Sequence, residues 1–479
     1  MIRPELKRIL RFYNTATREK HPFRPIAPPD VCVYSCGPTV YYLPHVGHLR
    51  AYLTSDLLHR TLTYAGYHVR HAMNITDVGH MTSDADEGED KMELGARREG
   101  KSPWELARYY EDAFFRAIAE INILRPHIVC RATEHIDVQI QLIQRLEERG
   151  YTYRTTVGVI FDTERFPRYA DFARLDLSGQ TAGARVAIDP ERKRPQDFAL
   201  WITNQPLHLM QWDTPWGRGF PGWHLECSAM AMHYLGEMID IHTGGIDNIP
   251  VHHSNEIAQS EAATGKPFSQ CWVHSAFLNV DGQKMSKSLG NLYTVDDVRQ
   301  RGFSPLALRY LYLGSGYRNA QNFTWEALDG AQRALMNVWG LCAMLPAPNG
   351  EPISEYLDAF DQAIADDLNT SQALAVLLQM LHSEYPSETQ AMTVAWMDRI
   401  LGLDLASARL HINNTWRYQG LTPEIEHQAR LLLEQRQQAR QAKDFALADR
   451  LRSEIGQIGY KVEDRDNSST IAPMYLCER

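Results

Sequence analysis

The chain has 479 residues, of which 44% are apolar and 23% charged, and its formal net charge is -10. The length suggests roughly three domains, and the composition is that of a folded globular protein. It excludes a membrane-spanning class, because no stretch approaches the ~20 apolar residues that a span needs. The first residues also lack the apolar core of a secretory signal, so we expect a cytoplasmic protein. The negative charge argues against indiscriminate coating of nucleic acid but allows a local basic surface.

Seven cysteines are spread widely along the chain. Their number is odd and the chain is large, so a disulfide framework is not expected. Buried free thiols and metal ligands are the two remaining interpretations.

The first predicted elements are a strand, a loop and a helix. Residues 31–35 are apolar and rich in β-forming residues, a Cys-Gly-Pro sequence breaks the pattern, and helical periodicity runs over about 47–66. Strand character returns over 68–76. This order is typical of a Rossmann-like parallel sheet, in which ligands bind at the strand ends. The sequence therefore predicts an α/β fold with a nucleotide site near residues 36–48.

The following segments fit an interrupted sheet domain and a helical second part. Residues 83–90 form an acidic turn, most simply a solvated loop, although contact with a ligand or metal is the alternative. Residues 151–201 are loop-rich with strand-like stretches, as in an insertion into a doubly wound domain. The other predicted elements are helices over 103–120 and 136–150, a strand over 238–242, and helices from residue 326 onwards with a break at 346–352.

The string His45-Val46-Gly47-His48 falls at the predicted junction of loop and helix. Unpaired amides and the helix dipole favour phosphate there. Gly47 would leave space for a nucleotide, and the two imidazoles could donate hydrogen bonds to oxygens that gain charge during substitution at phosphorus. Alone, this short string is equally compatible with a structural role.

A second string, Lys284-Met285-Ser286-Lys287-Ser288, places two lysines in a predicted loop. Two cations in a mobile loop suit a clamp on a pyrophosphate leaving group, whereas a solvated basic loop is the alternative. Between the two strings, Gly245 and Asp247 follow a predicted strand and could bind adenosine and its ribose, or form only a tight turn.

The two strings resemble the two signatures of class I aminoacyl-tRNA synthetases. The resemblance implies that His45, His48, Lys284 and Lys287 are catalytic. It also implies an ATP site formed by His45, Gly47, His48, Gly245, Asp247 and Lys287, with ATP bound together with Mg²⁺. An amino-acid carboxylate would attack the α-phosphate of ATP, and the aminoacyl group would then pass to the 3' end of tRNA.

Residues with metal-binding side chains follow three of the predicted elements. Cys36 ends the first strand, Cys227 lies in a predicted helix start, and His252 and Glu256 are spaced to project from one face of another helix. Two thiolates, an imidazole and a carboxylate suit zinc. By geometry alone, His253 is as good a ligand as His252.

Three strings resemble cysteinyl-tRNA synthetases: Ser35-Cys36-Gly37-Pro38-Thr39-Val40-Tyr41, Pro221-Gly222-Trp223-His224-Leu225-Glu226-Cys227-Ser228-Ala229-Met230 and His252-His253-Ser254-Asn255-Glu256. The resemblance implies one zinc ion on Cys36, Cys227, His252 and Glu256, and contacts of Gly37, Thr76 and Trp223 with bound cysteine. Zinc can take the substrate thiol as an added thiolate ligand. Such a site can reject serine without a separate editing step.

The resemblance covers nearly the whole chain and implies L-cysteine, ATP and tRNA-Cys as partners of a monomer, with no membrane association. Positive charge concentrates near the end of the chain, as contact with RNA phosphate requires, although a solvated amphipathic helix is the alternative. The residues concerned are Arg430, Arg436, Arg440, Lys443, Arg450 and Arg452. The predicted domains are the first catalytic half (1–135), a connective insertion (136–205), the second catalytic half (206–262), a stem-contact region with the lysine loop (263–330), a helical bundle (331–415) and an anticodon-binding domain (416–479).

Two segments depart from the family pattern. The acidic stretch after Asp77 is longer than usual, and residues 203–212 are atypical, so neither segment receives a predicted role. Two rival interpretations stay open. One is a ligase that shares the zinc site and the nucleotide strings but passes activated cysteine to an amino sugar. The other is a non-catalytic relative that only binds RNA.

Overall fold

The structure is a computed structural model that describes residues 8–79, 95–97, 99–175, 191–206, 208–286, 289–465 and 468–473. The strands are β1 (Arg11–Asn14), β2 (Glu19–Pro22), β3 (Asp30–Ser35), β4 (His68–Ile75), β5 (Ile128–Arg131), β6 (Thr152–Thr155), β7 (Gly158–Phe161), β8 (Phe198–Thr203), β9 (Gly219–Pro221), β10 (Ile239–Gly245), β11 (Ser269–Ser275), β12 (Leu278–Val280), β13 (Gln321–Phe323), β14 (Tyr460–Arg465) and β15 (Ser468–Pro473). The acidic turn predicted at 83–90 lies outside the described residues.

The α-helices alternate with strands in the first part of the chain and dominate the second. They are α1 (Val46–Tyr64), α2 (Pro103–Glu120), α3 (Ile136–Glu148), α4 (Trp223–Leu235), α5 (Ser254–Thr264), α6 (Val295–Gln300), α7 (Pro305–Leu313), α8 (Trp325–Ala343), α9 (Ser354–Ala365), α10 (Thr370–Leu381), α11 (Ser387–Leu401), α12 (Ala408–Tyr418), α13 (Pro423–Gln441) and α14 (Phe445–Gln457). Among the described residues, none of these helices combines the length and hydropathy needed to cross a membrane.

A parallel five-stranded sheet forms the centre of the molecule, in the order β11-β10-β3-β4-β5. Each neighbouring pair is parallel, and β3 pairs with β4 on one side and β10 on the other. The chain therefore leaves β3 in one direction and returns on the opposite side, which creates a switch point between β3 and β10. Ligands of doubly wound sheets bind at the carboxyl ends of strands at such a point. The predicted Rossmann-like α/β fold is confirmed.

The helix α1 packs against this sheet, and most of its residues are buried. Its leucines at 49, 53, 57 and 62 are buried, as the periodicity predicts, but so are several polar residues of the same helix. Among them Arg50 and Asp56 are each 2% exposed. A charge buried this deeply requires a partner, so these side chains tie α1 to other parts of the molecule.

The insertion forms its own antiparallel sheet in the order β6-β7-β8-β9. It shares an apolar cluster with α3, and Trp201 of β8 is fully buried in that cluster. The strand β9 lies beyond residue 205, so the sheet extends past the predicted end of the insertion. The domain boundaries themselves stay predictions.

A buried guanidinium joins the sheet domain to the helices that follow it. Arg309 of α7 is fully buried and its Nη2 lies 2.6 Å from Oδ2 of Asp56 in α1. The same guanidinium donates to the carbonyls of Leu401, at the end of α11, and of Ile121 and Asn122, after α2. Three separate parts of the chain therefore converge on one side chain.

The last helices and a hairpin form a small unit with a separate apolar cluster. Helices α13 and α14 pack against each other and against the antiparallel pair β14–β15. The cluster is built on Leu421, Ala429, Ile455, Tyr460 and Val462. This C-terminal unit does not depend on the central sheet for its own core.

Candidate active site

The predicted phosphate loop ends at the first turn of α1. His45 is the N-cap residue, and its Nδ1 accepts a hydrogen bond from the amide of His48 at 3.4 Å. The two rings stack with their centroids 3.6 Å apart. Surrounding protein lowers the pKa of His45 to about 3, and it also lowers the pKa of His48, although that residue keeps an exposed side. Both rings are therefore neutral at physiological pH, and each can donate one hydrogen bond.

The segment Lys284–Ser286 lies directly against this turn. A Cβ added to Gly47 would stand 1.9 Å from Cε of Met285, so the space beside Gly47 is filled by the second string. The Nζ of Lys284 lies 5.6 Å from the ring centroid of Phe277. The amide of Ser286 donates to Oδ1 of Asn291 at 2.9 Å. The structure therefore brings the two strings together, while Lys287 lies outside the described residues.

Gly245 and Asp247 lie at the carboxyl end of β10, across the switch point from β3. The strand continues through Gly245, beyond its predicted end at residue 242. A Cβ at Gly245 would meet Oδ1 of Asp247 at 2.3 Å, so this glycine makes room for the carboxylate two residues later. A Cβ at Gly244 would stand 2.6 Å from Cε1 of His253, so that glycine makes room for the imidazole ring. The space beside Gly244 and Gly245 is thus used by protein side chains, so these glycines are not by themselves evidence for a ligand.

A group of metal-binding side chains lies at the end of β3, next to the phosphate loop. Cys36, His252, His253 and Glu256 each offer a ligand atom, and these atoms all lie within 4.8 Å of one another. Ligands of a tetrahedral zinc ion are separated by about 3.5 Å, given bonds of about 2.0–2.3 Å. The Sγ of Cys36 is 3.3 Å from Nε2 of His253 and 3.8 Å from Oε1 of Glu256. These separations fit a single ion.

Both candidate histidines face the same carboxylate. Oε1 of Glu256 is 3.2 Å from Nε2 of His252 and 3.8 Å from Nε2 of His253. Residues 249–253 form a π-helical turn that runs into α5. The geometry therefore keeps both histidines near the ligand group, and it does not choose between them.

Further histidines that the sequence did not single out surround this group. Nε2 of His242 in β10 contacts Oε2 of Glu256 (3.0 Å), His224 contacts Nδ1 of His252 (3.0 Å), and His274 contacts Nδ1 of His253 (2.7 Å). Such outer contacts orient the rings of metal ligands. His242 and His224 lie in a predicted strand and a predicted helix start, whereas His274 lies in no predicted element, and no sequence pattern linked the three to the metal-binding residues.

Cys227 lies in the first turns of α4 and is 1% exposed. It is not one of the four grouped residues, but it is close enough to Cys36 to raise the pKa of that thiol. Burial is the larger cause and raises the pKa of both thiols. Without a cation, two adjacent buried thiols stay protonated, whereas a metal ion would favour the thiolates.

The residues predicted to contact cysteine line the same end of the sheet. The amide of Gly37 donates to Oδ1 of Asn74 at 2.7 Å, and a Cβ at Gly37 would stand 1.6 Å from the carbonyl oxygen of Asn74. Thr76 is buried and its hydroxyl donates to Oε2 of Glu226 at 3.0 Å. The ring of Trp223 packs on His252, with centroids 4.6 Å apart.

The basic residues near the end of the chain divide into two sets. Arg436 is 4% exposed and binds Asp464 through both Nη atoms at 2.9 Å, so it attaches the C-terminal hairpin to α13. The expectation that Arg436 contacts phosphate was wrong for that reason. Arg440 also pairs with Asp464, at 3.2 Å, and Arg430 pairs with Glu426.

The second basic set is exposed, and helix α14, which carries part of it, also exposes an aromatic ring. Lys443, Arg450 and Arg452 are exposed on and beside α14. The ring of Phe445, at the start of the same helix, is 63% exposed. An open aromatic ring among cations is typical of proteins that stack unpaired bases.

Comparisons with known families and proteins agree with this geometry. The family model of the tRNA synthetases class I (C) catalytic domain matches residues 22–333, and that of the cysteinyl-tRNA ligase anticodon binding domain matches residues 422–470. The chain is 47% identical to cysteine–tRNA ligase 1 of Burkholderia lata, over 98% of this chain and 97% of the relative.

Other relatives and a solved structure extend the comparison. The chain is 42% identical to a cysteine–tRNA ligase of Treponema denticola, over 96% of this chain and 99% of that protein. It is 41% identical to one of Thermus thermophilus, over 94% and 97% respectively. A Mycobacterium tuberculosis methionyl-tRNA synthetase bound to methionyl-adenylate superposes with a TM-score of 0.52 at 17% identity, covering 88% of this chain and 96% of that one. At that identity the match concerns the fold alone.

Proposed function

The chain belongs to the cysteinyl-tRNA synthetase family, and from that premise we propose how its residues divide the work. The enzyme uses ATP to activate L-cysteine as cysteinyl-adenylate and transfers the cysteinyl group to the 3' end of tRNA-Cys. The residue roles below are our proposal. The observation that carries them is the buried ligand group at the end of β3, placed against the phosphate-binding turn of α1.

We assign one zinc ion to Cys36, Cys227, His252 and Glu256. The mix of sulfur, nitrogen and oxygen donors supports this assignment, as do the separations of Oε1 of Glu256 from Sγ of Cys36 (3.8 Å) and from Nε2 of His252 (3.2 Å). Cys227 is included because it lies close to Cys36. Zinc, when bound, would accept the thiol of L-cysteine as a further ligand, which the serine hydroxyl does not offer. His253, held by His274, would support the site without ligating the ion.

Gly37, Thr76 and Trp223 would surround the rest of the cysteine molecule. The bonds of Gly37 to Asn74 and of Thr76 to Glu226 fix the backbone and a buried carboxylate beside the ligand group. Trp223 would cover one side, because its ring already packs on His252. A rigid arrangement holds the substrate carboxylate in line with the nucleotide.

ATP, accompanied by Mg²⁺, would bind across the switch point. The neutral rings of His45 and His48 can donate to phosphate oxygens that gain charge during the reaction, and Gly47 leads into the positive end of the α1 dipole. Gly245 and Asp247 would hold the nucleoside. Lys284 and Lys287 would neutralise the pyrophosphate as it leaves.

The C-terminal unit would bind the anticodon of tRNA-Cys through exposed cations and Phe445. We infer a monomer that works in the cytoplasm, as the family resemblance implies. The family model that matches residues 422–470 favours tRNA over an amino sugar as acceptor.

Exchange of pyrophosphate into ATP tests the activation step and the metal assignment together. We expect exchange with L-cysteine, loss of most exchange with L-serine, and one zinc ion per chain. Cys227→Ser should lower both bound zinc and exchange, whereas His253→Asn should retain zinc, because we place that ring outside the ligand set. Equal exchange with serine, or active enzyme without zinc, would overturn the thiol selection.

A charging assay separates the acceptors. The enzyme should transfer labelled cysteine to tRNA-Cys. Activation of cysteine without transfer to any tRNA would instead favour the amino-sugar ligase.

A further inference from the structure

A buried arginine two residues after His48 contacts two distant parts of the chain. Arg50 is 2% exposed. Its Nη1 donates to the carbonyls of Ala276 and Phe277, each at 2.9 Å, and its Nη2 donates to those of Gly316 and Asn319, at 3.3 and 2.6 Å. One guanidinium therefore binds four backbone carbonyls in two segments.

These two segments support the part of the chain that carries Lys284. Ala276 and Phe277 immediately precede β12, and the Gly316–Asn319 turn precedes β13. The two strands pair in parallel, with Leu278 opposite Gln321. The chain between the strands includes Lys284 and Met285. We call the segment from β12 to β13 the β12–β13 unit, and Arg50 binds the chain just before each of its two strands.

The contacts continue from Arg50 to the lysine itself. Phe277, whose carbonyl binds Arg50, also presents its ring to Lys284, with Nζ 5.6 Å from the ring centroid. Met285 then fills the space beside Gly47, on the same helix as Arg50. The helix that carries His45 and His48 and the segment that carries Lys284 are thus fixed to each other.

The first turn of α1 makes two further bonds with the same unit. The hydroxyl of Tyr312 donates to the carbonyl of Val46 at 2.7 Å, and the amide of Val46 donates to the carbonyl of Tyr293 at 2.8 Å. Lysine could not replace Arg50 in this arrangement, because an ammonium group lacks the planar fork that reaches several acceptors at once.

We propose that Arg50 is a positioning residue for the reaction with ATP. By binding carbonyls before β12 and before β13, it sets the distance of Lys284 from the phosphate-binding turn. The proposal rests on the proposed role of Lys284 at the leaving pyrophosphate. A misplacement of about 1 Å in such a group can reduce the rate about 100-fold.

The test compares Arg50→Lys and Arg50→Met with Arg309→Lys in pyrophosphate exchange. Arg309 is a suitable control because its guanidinium is also buried and binds three carbonyls, but these follow α2 and end α11 and do not flank β12 or β13. We expect both Arg50 variants to lower kcat/KM for ATP by about tenfold or more, with Arg50→Lys less affected than Arg50→Met. The KM for cysteine and the zinc content should stay within about twofold of wild type. Arg309→Lys should lower the melting temperature but leave both KM values unchanged.

The outcomes distinguish positioning from simple stabilisation. If Arg50→Lys behaves as Arg309→Lys does, losing thermal stability but keeping its kcat/KM for ATP, the proposal is wrong. If the Arg50 variants do not fold, Tyr312→Phe tests the same coupling, since it removes one bond to α1 and keeps the buried ring; unchanged kinetics with ATP would then overturn the proposal. A wild-type enzyme without any cysteine-dependent exchange would instead refute the proposed function.

Discussion

Gly37 shows how a single residue can fix the substrate end of the sheet. It follows the proposed ligand Cys36, and the carbonyl oxygen of Asn74 occupies the place where a Cβ would be, 1.6 Å away. Backbone atoms of a buried strand cannot move aside as a flexible side chain can. The close approach of β3 and β4 beyond their last paired residues therefore depends on this glycine.

We expect Gly37→Ala to separate the two chain segments and to lower kcat/KM for cysteine by about tenfold or more, because the reacting groups would shift by a substantial part of an ångström. Pyrophosphate exchange at varied cysteine concentration measures this effect.

Gly340→Ala provides the matched control. Gly340 lies in α8, and nothing within 4 Å would meet its Cβ. The same substitution there should raise the free energy of unfolding by about 0.5–1 kcal/mol, because alanine favours a helix. Wild-type kinetics in Gly37→Ala would show that the strands adjust without cost to the site.

The choice between His252 and His253 marks the limit of residue-level prediction. Spacing in a regular helix places both near Glu256, and the π-helical turn over 249–253 keeps both there. The orientation of each ring depends on contacts with His224 and His274, residues distant in sequence. The family resemblance, rather than local spacing, selected His252.

At the scale of elements, α1 was predicted as a helix but not as a buried junction. Its leucine spacing indicates one apolar face, whereas the structure also buries Arg50, Asp56 and His59. The signal available in the sequence was the presence of charged residues among apolar ones. The partners of Arg50 could not be predicted, and neither could the pairing of Asp56 with Arg309, because in each case the two residues lie more than 200 positions apart in the chain.

The histidines between α1 and β4 predict a dependence of stability on pH. His59 and His71 contact each other through Nδ1 atoms at 3.4 Å, and the ring centroid of His127 lies 5.0 Å from that of His59, with the rings tilted by 37°. Burial, reinforced by the neighbouring histidines, lowers the pKa of His59 to about 4 and that of His71 to about 3. Arg60 also lowers the pKa of His59, while Asp56 acts in the opposite direction.

In the unfolded chain these histidines bind protons below about pH 6.5, whereas in the folded protein they do so only near pH 3–4. The contribution of this pair to the free energy of unfolding is therefore fully present above about pH 6.5 and is lost as the pH falls towards 4. At pH 5 each histidine should reduce the free energy of unfolding by about 2 kcal/mol. Urea unfolding at pH 7.5 and pH 5 measures the loss.

His59→Gln should remove about one histidine's share of that loss, because glutamine does not titrate. His68→Gln is the control, since the side chain of His68 is 75% exposed. An equal loss of stability in His59→Gln and wild type would show that other groups cause the pH dependence.

At the scale of the whole molecule, the order of elements was predictable and their meeting points were not. The strand–loop–helix–strand opening and the helical second part follow from periodicity and from glycine and proline positions. The convergence of α1, the end of α11 and the segment after α2 on Arg309 could not be predicted. Its sequence context, an apolar run with one arginine, indicated only that the charge would need a partner.

The separate core of the C-terminal unit predicts that transfer and activation can be uncoupled. Phe445 is 63% exposed on this unit, which also exposes Lys443, Arg450 and Arg452. Loss of a stacked aromatic ring costs about 1–3 kcal/mol per base. We expect Phe445→Ala to raise the KM for tRNA-Cys about tenfold and to leave pyrophosphate exchange unchanged.

Leu447→Ala is the control on the same turn, because Leu447 is also partly open, at 37% exposure, but lacks a ring. Charging assays at varied tRNA concentration compare the two variants. A KM for tRNA that is the same in both variants would exclude stacking on Phe445.

The contact of Met285 with Gly47 has a consequence for how this enzyme can change over time. The methyl group of one string fills the space that a side chain would take in the other. A larger residue at position 47 would therefore require the end of the Met285 side chain to turn away. Two strings separated by more than 200 residues share a single volume, so a change of side chain in one alters the space open to the other.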